Sequence, residues 1–577
     1  MTWQFKERAE QRLAREAGTV VKDWGAKVRV ALVFPNTYYV GMSNLGFQTI
    51  YGTLNRQPDI VCERAFLPDP DDLAEHERLR VPVLSLESQR PLTDFDVVAF
   101  STTYENDYLH LLQILELSGI PVRAVERGPQ HPMVAMGGVC AWSNPEPLAA
   151  FVDFFFLGEG EESSPEAFRL WREVYEAEHD PGSARERFLR QLLTVEGVYV
   201  PRFYDVRYRE DGSVAEVAGQ DGAPLPVRKR RLARLDDFDT ISVIRTPDTE
   251  FGGMALLEVG KGCGRGCRFC MEGEIYRPVR HRHLEAIVRG AEKLLAGGAR
   301  IGLVGACVSD YPWIDALAGA LRAKGVEISL SSVRADSLSP DLVQALVESG
   351  TRTLTIAPEA GTERLRTVIH KSLSDQQLFE AAELIAASGV PSVKIYFMIG
   401  LPTETADDIE GIIGLAKAIR HRILQHRRDA RNAVEITVGV SSFVPKPWTA
   451  FQWCAMAEVR TLEATVRRLG RELRRVGIHF THDVPKWAYL QGVLARGDRR
   501  VGELLLLALK HRGDWKRAFR EWPGNGDYYA CRERALDERF PWDHFEVGAK
   551  RARLEVEYRR AMGLLPERAV RWKAALA

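Results

Sequence analysis

Glu258-Val-Gly-Lys-Gly-Cys263-Gly-Arg-Gly-Cys267-Arg-Phe-Cys270 is the stretch on which the reading of this chain turns. Three cysteines stand at Cys-x3-Cys-x2-Cys spacing, and the glycines around them let the backbone turn tightly. Three thiolates in such a loop wrap one cubane [4Fe–4S] cluster and leave one iron without a protein ligand. A zinc site takes four ligands, usually from paired Cys-x2-Cys hooks, and no second pair lies nearby. Cys307 becomes a fourth ligand only by reaching in from the end of the next strand pattern. The remaining cysteines, Cys62, Cys140, Cys307, Cys454 and Cys531, are scattered and read as small buried hydrophobes. Eight cysteines in 577 residues are too sparse for a disulfide framework.

Working outward, the cysteines follow a strand pattern at 254–260, and similar patterns recur at 300–304, 327–332, 352–356, 391–397 and 434–442. Amphipathic stretches lie between them, among them His283–Leu295, Trp313–Lys324, Pro340–Ser349 and Ala406–Ile419. Six βα units predict a partial (β/α)6 barrel of the TIM type, with its site at the C-terminal ends of the strands. Upstream, buried-strand patterns at Val28–Phe34, Asp96–Ser101, His131–Gly138 and Phe151–Leu157 alternate with helical ones. That order predicts a Rossmann-like, doubly wound parallel sheet over about 25–165. Between the two units, Asp211-Gly212 separates two alternating runs, a hairpin signal. After about 455 the pattern is mainly helical. The expected α/β organisation is a Rossmann-like domain over 1–165, a connector with a hairpin over 166–250, the barrel over 251–453 and a helical C-terminal domain over 454–577.

Lysine and arginine total 78 against 79 acidic residues, for a formal net charge of -1, so overall charge demands no polyanionic partner. The basic runs Arg228–Arg234, Arg420–Arg428 and Arg460–Arg475 read as solvated faces, with phosphate contact as the alternative. No apolar run reaches the roughly 18 residues that a membrane span needs, and Met1–Arg8 lacks the order of a secretory signal. No membrane partner and a cytoplasmic location are expected.

The cysteine triplet matches the signature of the radical S-adenosylmethionine (SAM) superfamily. Together with Ala357-Pro-Glu359-Ala-Gly361, Tyr396-Phe-Met-Ile-Gly400-Leu-Pro402-Thr-Glu404, Val444-Pro-Lys-Pro447-Trp-Thr, Ala495-Arg-Gly-Asp-Arg-Arg and Pro541-Trp-Asp-His544, it resembles one bacterial subfamily. That subfamily carries an N-terminal cobalamin-binding-like domain, and a second, small radical-SAM-linked protein often accompanies it. The resemblance implies that SAM chelates the open iron, accepts one electron and breaks to a 5′-deoxyadenosyl radical. A one-electron reductant such as flavodoxin or ferredoxin is implied as partner.

It also implies positions for the SAM contacts. Phe269 packs beside the adenine. Ser309 and Asp310 stand where the methionine amino group is held, although the usual Gly-Gly-Glu is absent. Arg334 offers a fork to the SAM carboxylate. Glu359 faces the ribose, and Gly400 and Pro402 bring backbone to the adenine. In the first domain, Asn44, Gly137 and Gly138 are expected around cobalamin. The Asp-x-His-x-x-Gly motif is missing, so no protein imidazole is expected on cobalt. The leading expectation is cobalamin-dependent methylation of an unactivated carbon. Radical RNA modification or rearrangement without cobalamin is a second, and an iron–sulfur electron carrier or scaffold with four protein ligands a third.

Overall fold

The computed structural model of the chain describes residues 2–295, 300–330, 332–427 and 434–566. Ser331, inside the third expected barrel strand, and Arg428, in one basic run, lie outside the described residues.

The first unit is a six-stranded sheet in the order β2-β1-β3-β4-β5-β6. Strands β1 (Val28–Phe34), β2 (Ile60–Phe66), β3 (Val97–Ser101), β4 (Met133–Gly137) and β5 (Phe154–Phe156) are all parallel. Every residue of β2 and β5 is buried, as are all but one residue of each of the others. Such continuous apolar runs are what a sheet covered on both faces requires. The strand order reverses between β1 and β3, which opens a crevice at the C-terminal strand ends. Strand β6 (Val198–Tyr199) closes the edge antiparallel to β5. The helices Gly160–Ala177 and Pro181–Gln191 lead into it, so the first domain runs to about residue 200 rather than ending at 165. A two-residue strand carries no periodic signal, which is why the sequence did not reveal it.

The expected hairpin forms from β7 (Tyr204–Tyr208) and β8 (Val214–Gly219), with Gly212 at φ +83° in its turn. Strand β9 (Val227–Arg228) then pairs with Phe545–Glu546 from the C-terminal region.

In the second unit, β10 (Ala255–Glu258) starts the barrel, and β11 (Gly260–Lys261) pairs antiparallel with β12 (Arg280–His281) around the base of the cysteine loop. The barrel continues in parallel through β13 (Ile301–Val304) and β14 (Ile328–Ser329). A bridge from Val333 to Ile356 leads on to β15 (Thr353–Glu359), β16 (Ser392–Ile399) and β17 (Glu435–Ser442). A seventh strand, β18 (His479–His482), follows the helix Val459–Arg475 and pairs with β17. The barrel therefore extends to about 482, beyond the boundary expected at 453. His479-Phe-Thr-His482 is short, polar and mostly exposed, so it lacks the alternation that marks a strand.

The C-terminal region seals the first domain rather than forming a separate body. Glu146 is 1% exposed and accepts from Tyr199 Oη at 2.5 Å and from Arg499 Nε at 2.8 Å. Arg499 also donates to Tyr199 Oη and to the carbonyl of Tyr204. His544 lies 3.7 Å from Glu146, and burial pushes its pKa down to about 4, so at neutral pH its ring brings no charge. Among the described residues, Arg499 is then the formal cation bonded to this buried carboxylate. Arg499→Ala should lower stability by about 3 kcal/mol, because it leaves that carboxylate buried without its cation. Thermal or denaturant unfolding measures this, and an unchanged midpoint would refute it.

Candidate active site

The cysteine loop leaves the end of β10 through Gly262, at φ +85°, and turns again at Gly266, at φ +74°. A side chain at Gly262 would press on the carbonyl of Tyr276, so a glycine is needed there. The thiols of Cys263, Cys267 and Cys270 share one electrostatic environment. Burial, then Cys267, raises the Cys270 thiol to about 12. Burial raises Cys267 as well, while Lys371 and Arg334 pull it down. Arg334 pulls Cys263 down in the same way, so these cations oppose, without overcoming, the burial that holds all three groups as thiols; the thiolate is the form an iron cluster takes as ligand. Among the described residues no three Cys, His, Asp or Glu side chains gather closely enough for a single metal ion. Cys263, Cys267 and Cys270 are free thiols in one short loop, the donor type that an iron–sulfur cubane takes. Cys307 stands beside Ser309, at 3.8 Å, and beside Asp310.

Four residues expected to contact SAM belong to one network around this loop. Arg265, inside the loop, forks onto Asp310 at 2.5 and 2.6 Å and reaches Asp336 at 2.9 Å. Asp336 also takes Arg334 at 2.9 and 3.1 Å. Arg334 donates further to the carbonyl of Lys371, whose ammonium lies 3.0 Å from Glu359. The Ser309 hydroxyl accepts from the Arg334 backbone N–H and from Ser337 Oγ. Ser309, Asp310, Arg334 and Glu359 are thus brought together, but Asp310 and Arg334 already hold protein partners. Asp336 and Lys371 were missed by sequence reasoning. Asp336 stands two residues after a flagged arginine, whereas Lys371 carries no local signal.

Phe269 packs with Leu401, Met398 and Ile369 at the far side of the loop. Gly400 follows β16 at φ +77°, and its N–H donates to Glu404 at 2.9 and 3.0 Å. Leu401 N–H reaches the same carboxyl at 3.4 Å. Burial pushes the Glu404 pKa up to about 7, despite those two donors. Pro402 lies in the same turn, partly exposed.

A chamber of about 450 Å³ separates the first domain from the loop. Asn44, Ser101, Thr103, Gly138, Gly158 and Gly160 line one wall; Glu258, Lys261, Gly262, Met271 and Glu272 line the other. Asn44 caps the helix Leu45–Arg56, its side chain accepting from Phe47 N–H. Gly138 has φ +92°, and a Cβ there would stand 2.4 Å from the carbonyl of Thr102, so internal packing already demands a glycine. Gly137 adjoins it without lining the chamber. Among the described residues no histidine lines the chamber. Lys261 bridges the walls to Glu161 at 2.8 Å, and Arg280 does so to Glu159 at 2.9 Å.

Comparison with known proteins agrees with this architecture. Residues 257–416 match the family described as the radical SAM superfamily, and residues 46–201 match the N-terminal domain of radical SAM proteins. An uncharacterized protein of Methanocaldococcus jannaschii is 30% identical over 82% of this chain and 90% of its own length. The tRNA-2-methylthio-N(6)-dimethylallyladenosine synthase of Ruegeria sp. is 26% identical over 41% of this chain and 55% of its own length. The fold resembles that of the cobalamin-dependent SAM radical enzyme OxsB with aqua-cobalamin bound. The TM-score is 0.50 at 14% identity, covering 83% of this chain and 66% of that one. Among the described residues no helix is long and apolar enough to cross a membrane.

Glu404 gives a pH prediction. Its folded pKa lies above the unfolded value, so stability linked to it is fully present below about pH 4.5 and is lost as pH rises toward 7. Glu404→Gln should flatten the stability-versus-pH curve between those values relative to the wild type. Parallel curves for the two proteins would show that Glu404 does not titrate there.

Proposed function

The chain belongs to the radical SAM superfamily, and on that premise we propose that this enzyme is a cobalamin-dependent methyltransferase acting on an unactivated carbon. One observation carries the reading: the chamber at the switch point of the first sheet opens onto the cysteine loop. A floor of Gly138, Gly158 and Gly160 with Ser101 and Thr103 suits a broad, flat group, and crevices of such sheets are where nucleotide-bearing cofactors bind.

Cys263, Cys267 and Cys270 would hold a cluster that supplies one electron for reductive cleavage of SAM, and the chamber would hold a corrinoid that supplies a methyl carrier. The chain's own residues do the positioning. Arg265 fastens the loop to Asp310 and Asp336, which fixes Cys263 and Cys267 relative to the ends of β13 and β14. Lys371 and Arg334 keep positive charge beside the thiolates. Glu359, at φ +68° on the end of β15, would take the ribose hydroxyls by exchanging its bond to Lys371. Phe269 and Leu401 exclude water from the adenine side. Asn44, Ser101 and Gly138 would hold the corrinoid, and no imidazole is among the described lining residues. A one-electron reductant such as flavodoxin or ferredoxin would serve the cluster.

A second reading, radical modification of RNA without cobalamin, is favoured by the tRNA-modifying relative and by a surface groove. Arg467, Arg471, Arg474 and Arg475 line that groove beside Phe480 and His482. The electron-carrier expectation gives way to an enzyme.

Changing Cys263, Cys267 or Cys270 to Ala should abolish the cluster and the release of 5′-deoxyadenosine under a strong reductant, while Cys62→Ala and Cys531→Ala should not. A triple variant that still released it would sink the assignment. For cobalamin, the Co(II) resonance of the reconstituted protein should lack the threefold nitrogen splitting that an axial imidazole imposes. Splitting from a protein histidine would refute the base-free site, and protein that takes up no cobalamin would favour the RNA reading.

A further inference from the structure

The lining of the chamber includes the carboxylates of Glu159, Glu161, Glu258 and Glu272. Arg280 meets Glu159 at 2.9 Å, Lys261 meets Glu161 at 2.8 Å and Arg282 meets Glu258 at 2.9 Å. Glu272 is different: among the described residues it has no hydrogen bond and no ion pair, and no cation lies near enough to lower its carboxyl. The cations of the neighbouring chain are engaged elsewhere. Arg265 holds Asp310 and Asp336, Arg268 holds Glu557 on the helix Arg551–Ala561, and Arg277 and Arg553 both pair with Glu274.

Glu272 stands two residues after Cys270, at the start of the short helix Glu272–Ile275, and its side chain opens into the chamber. Burial raises the Cys263 and Cys270 thiols and the Tyr276 hydroxyl, and the Glu272 carboxylate adds to the rise in all three. The carboxylate therefore lies within electrostatic reach of two cysteines of the triplet and of Tyr276. Tyr276 also lines the chamber, and Trp142 of the first domain packs against it with ring centroids 4.8 Å apart. A carboxylate beside aromatic rings offers a cation two attractions, a charge-assisted bond and the negative faces of the rings. An anion at the same place would be repelled by Glu272.

We propose that Glu272, with Trp142 and Tyr276, binds a protonated amine of the substrate and so holds the carbons attached to that nitrogen beside the cysteine loop. The site rests on the reading of the chamber as the place of reaction, and it names the chemical class of the substrate there. Any phosphate on the substrate then lies away from this wall. SAM is a cation too, through its sulfonium and amino groups, so the test has to tell the two apart.

Full-length, cluster-free protein is titrated with three probes of one shape: benzylammonium, benzyl alcohol and benzoate. Dissociation constants are read from the broadening of each probe's own proton resonances. Wild type should bind benzylammonium roughly tenfold more tightly than benzyl alcohol, the effect of one charge-assisted hydrogen bond, and benzoate more weakly than either. Glu272→Gln and Glu272→Ala should erase the preference for the ammonium, and either variant that folds carries the comparison. The ratio of the two affinities decides, because a loosened fold would weaken both probes together. SAM affinity, measured on protein reconstituted anaerobically with its cluster, should be unchanged in the variants. Equal affinity for ammonium and alcohol in wild type, no binding of either, or a preference that survives both substitutions overturns the site. A SAM affinity that falls along with the ammonium preference overturns it as well, because the carboxylate then belongs to SAM. Cobalamin uptake is measured separately; its failure removes the corrinoid reading, while the probe ratios still decide the cation site.

Discussion

A loop of cysteines and glycines has almost no shape of its own. Gly262, Gly264 and Gly266 remove the side chains that would restrict the backbone between Lys261 and Cys267, and the segment makes no regular ladder after β11. A cluster site demands the opposite, with sulfurs held to fractions of an ångström by supporting bonds. The protein meets that demand with two arginines inside the loop itself. Arg265 points to carboxylates from the ends of β13 and β14, and Arg268 points to carbonyls and a carboxylate on the other side. From Asp336 the bonds run on through Arg334 to Lys371 and Glu359, so the loop and three strand ends form one polar network. Such a network rigidifies only when each member is satisfied, which explains why these ion pairs are short and partly buried.

Ties across the chamber follow the same logic. Lys261 to Glu161 and Arg280 to Glu159 span it near the base of the cysteine loop. Lys446 and Gln491 both reach Glu105, at 2.5 and 2.8 Å, at the loop after β3. Trp448 donates to the carbonyl of Ser143, and Asn144 to that of Gly497. The first domain is held over the barrel mouth by hydrogen bonds and ion pairs to both the barrel and the C-terminal region, which set the chamber's width.

What the sequence displayed was local. The cysteine spacing, the apolar runs of β1 to β5 and the alternation through β17 are written within a few residues each, where periodicity is decisive. Strands β6 and β18 escaped because two and four residues, partly polar, leave no period to detect. Among the site residues, Ser309, Asp310, Arg334 and Glu359 were visible because each follows a strand. Their partners Asp336, Lys371 and Glu557 were not, because a contact made by tertiary folding leaves no trace in spacing. Gly138 shows the converse: a glycine expected for a ligand's sake is already required by the backbone of Thr102.

The bond from Arg268 to Glu557 joins residues 289 positions apart. At roughly 5–20 residues per second, a ribosome that has just made the cysteine segment needs on the order of 15–60 s more before the carboxylate exists. The first domain and most of the barrel can be assembling during that interval, while the cysteine segment waits without that bond. A polypeptide cut short in synthesis therefore carries the three thiols without that bond to the C-terminal helix.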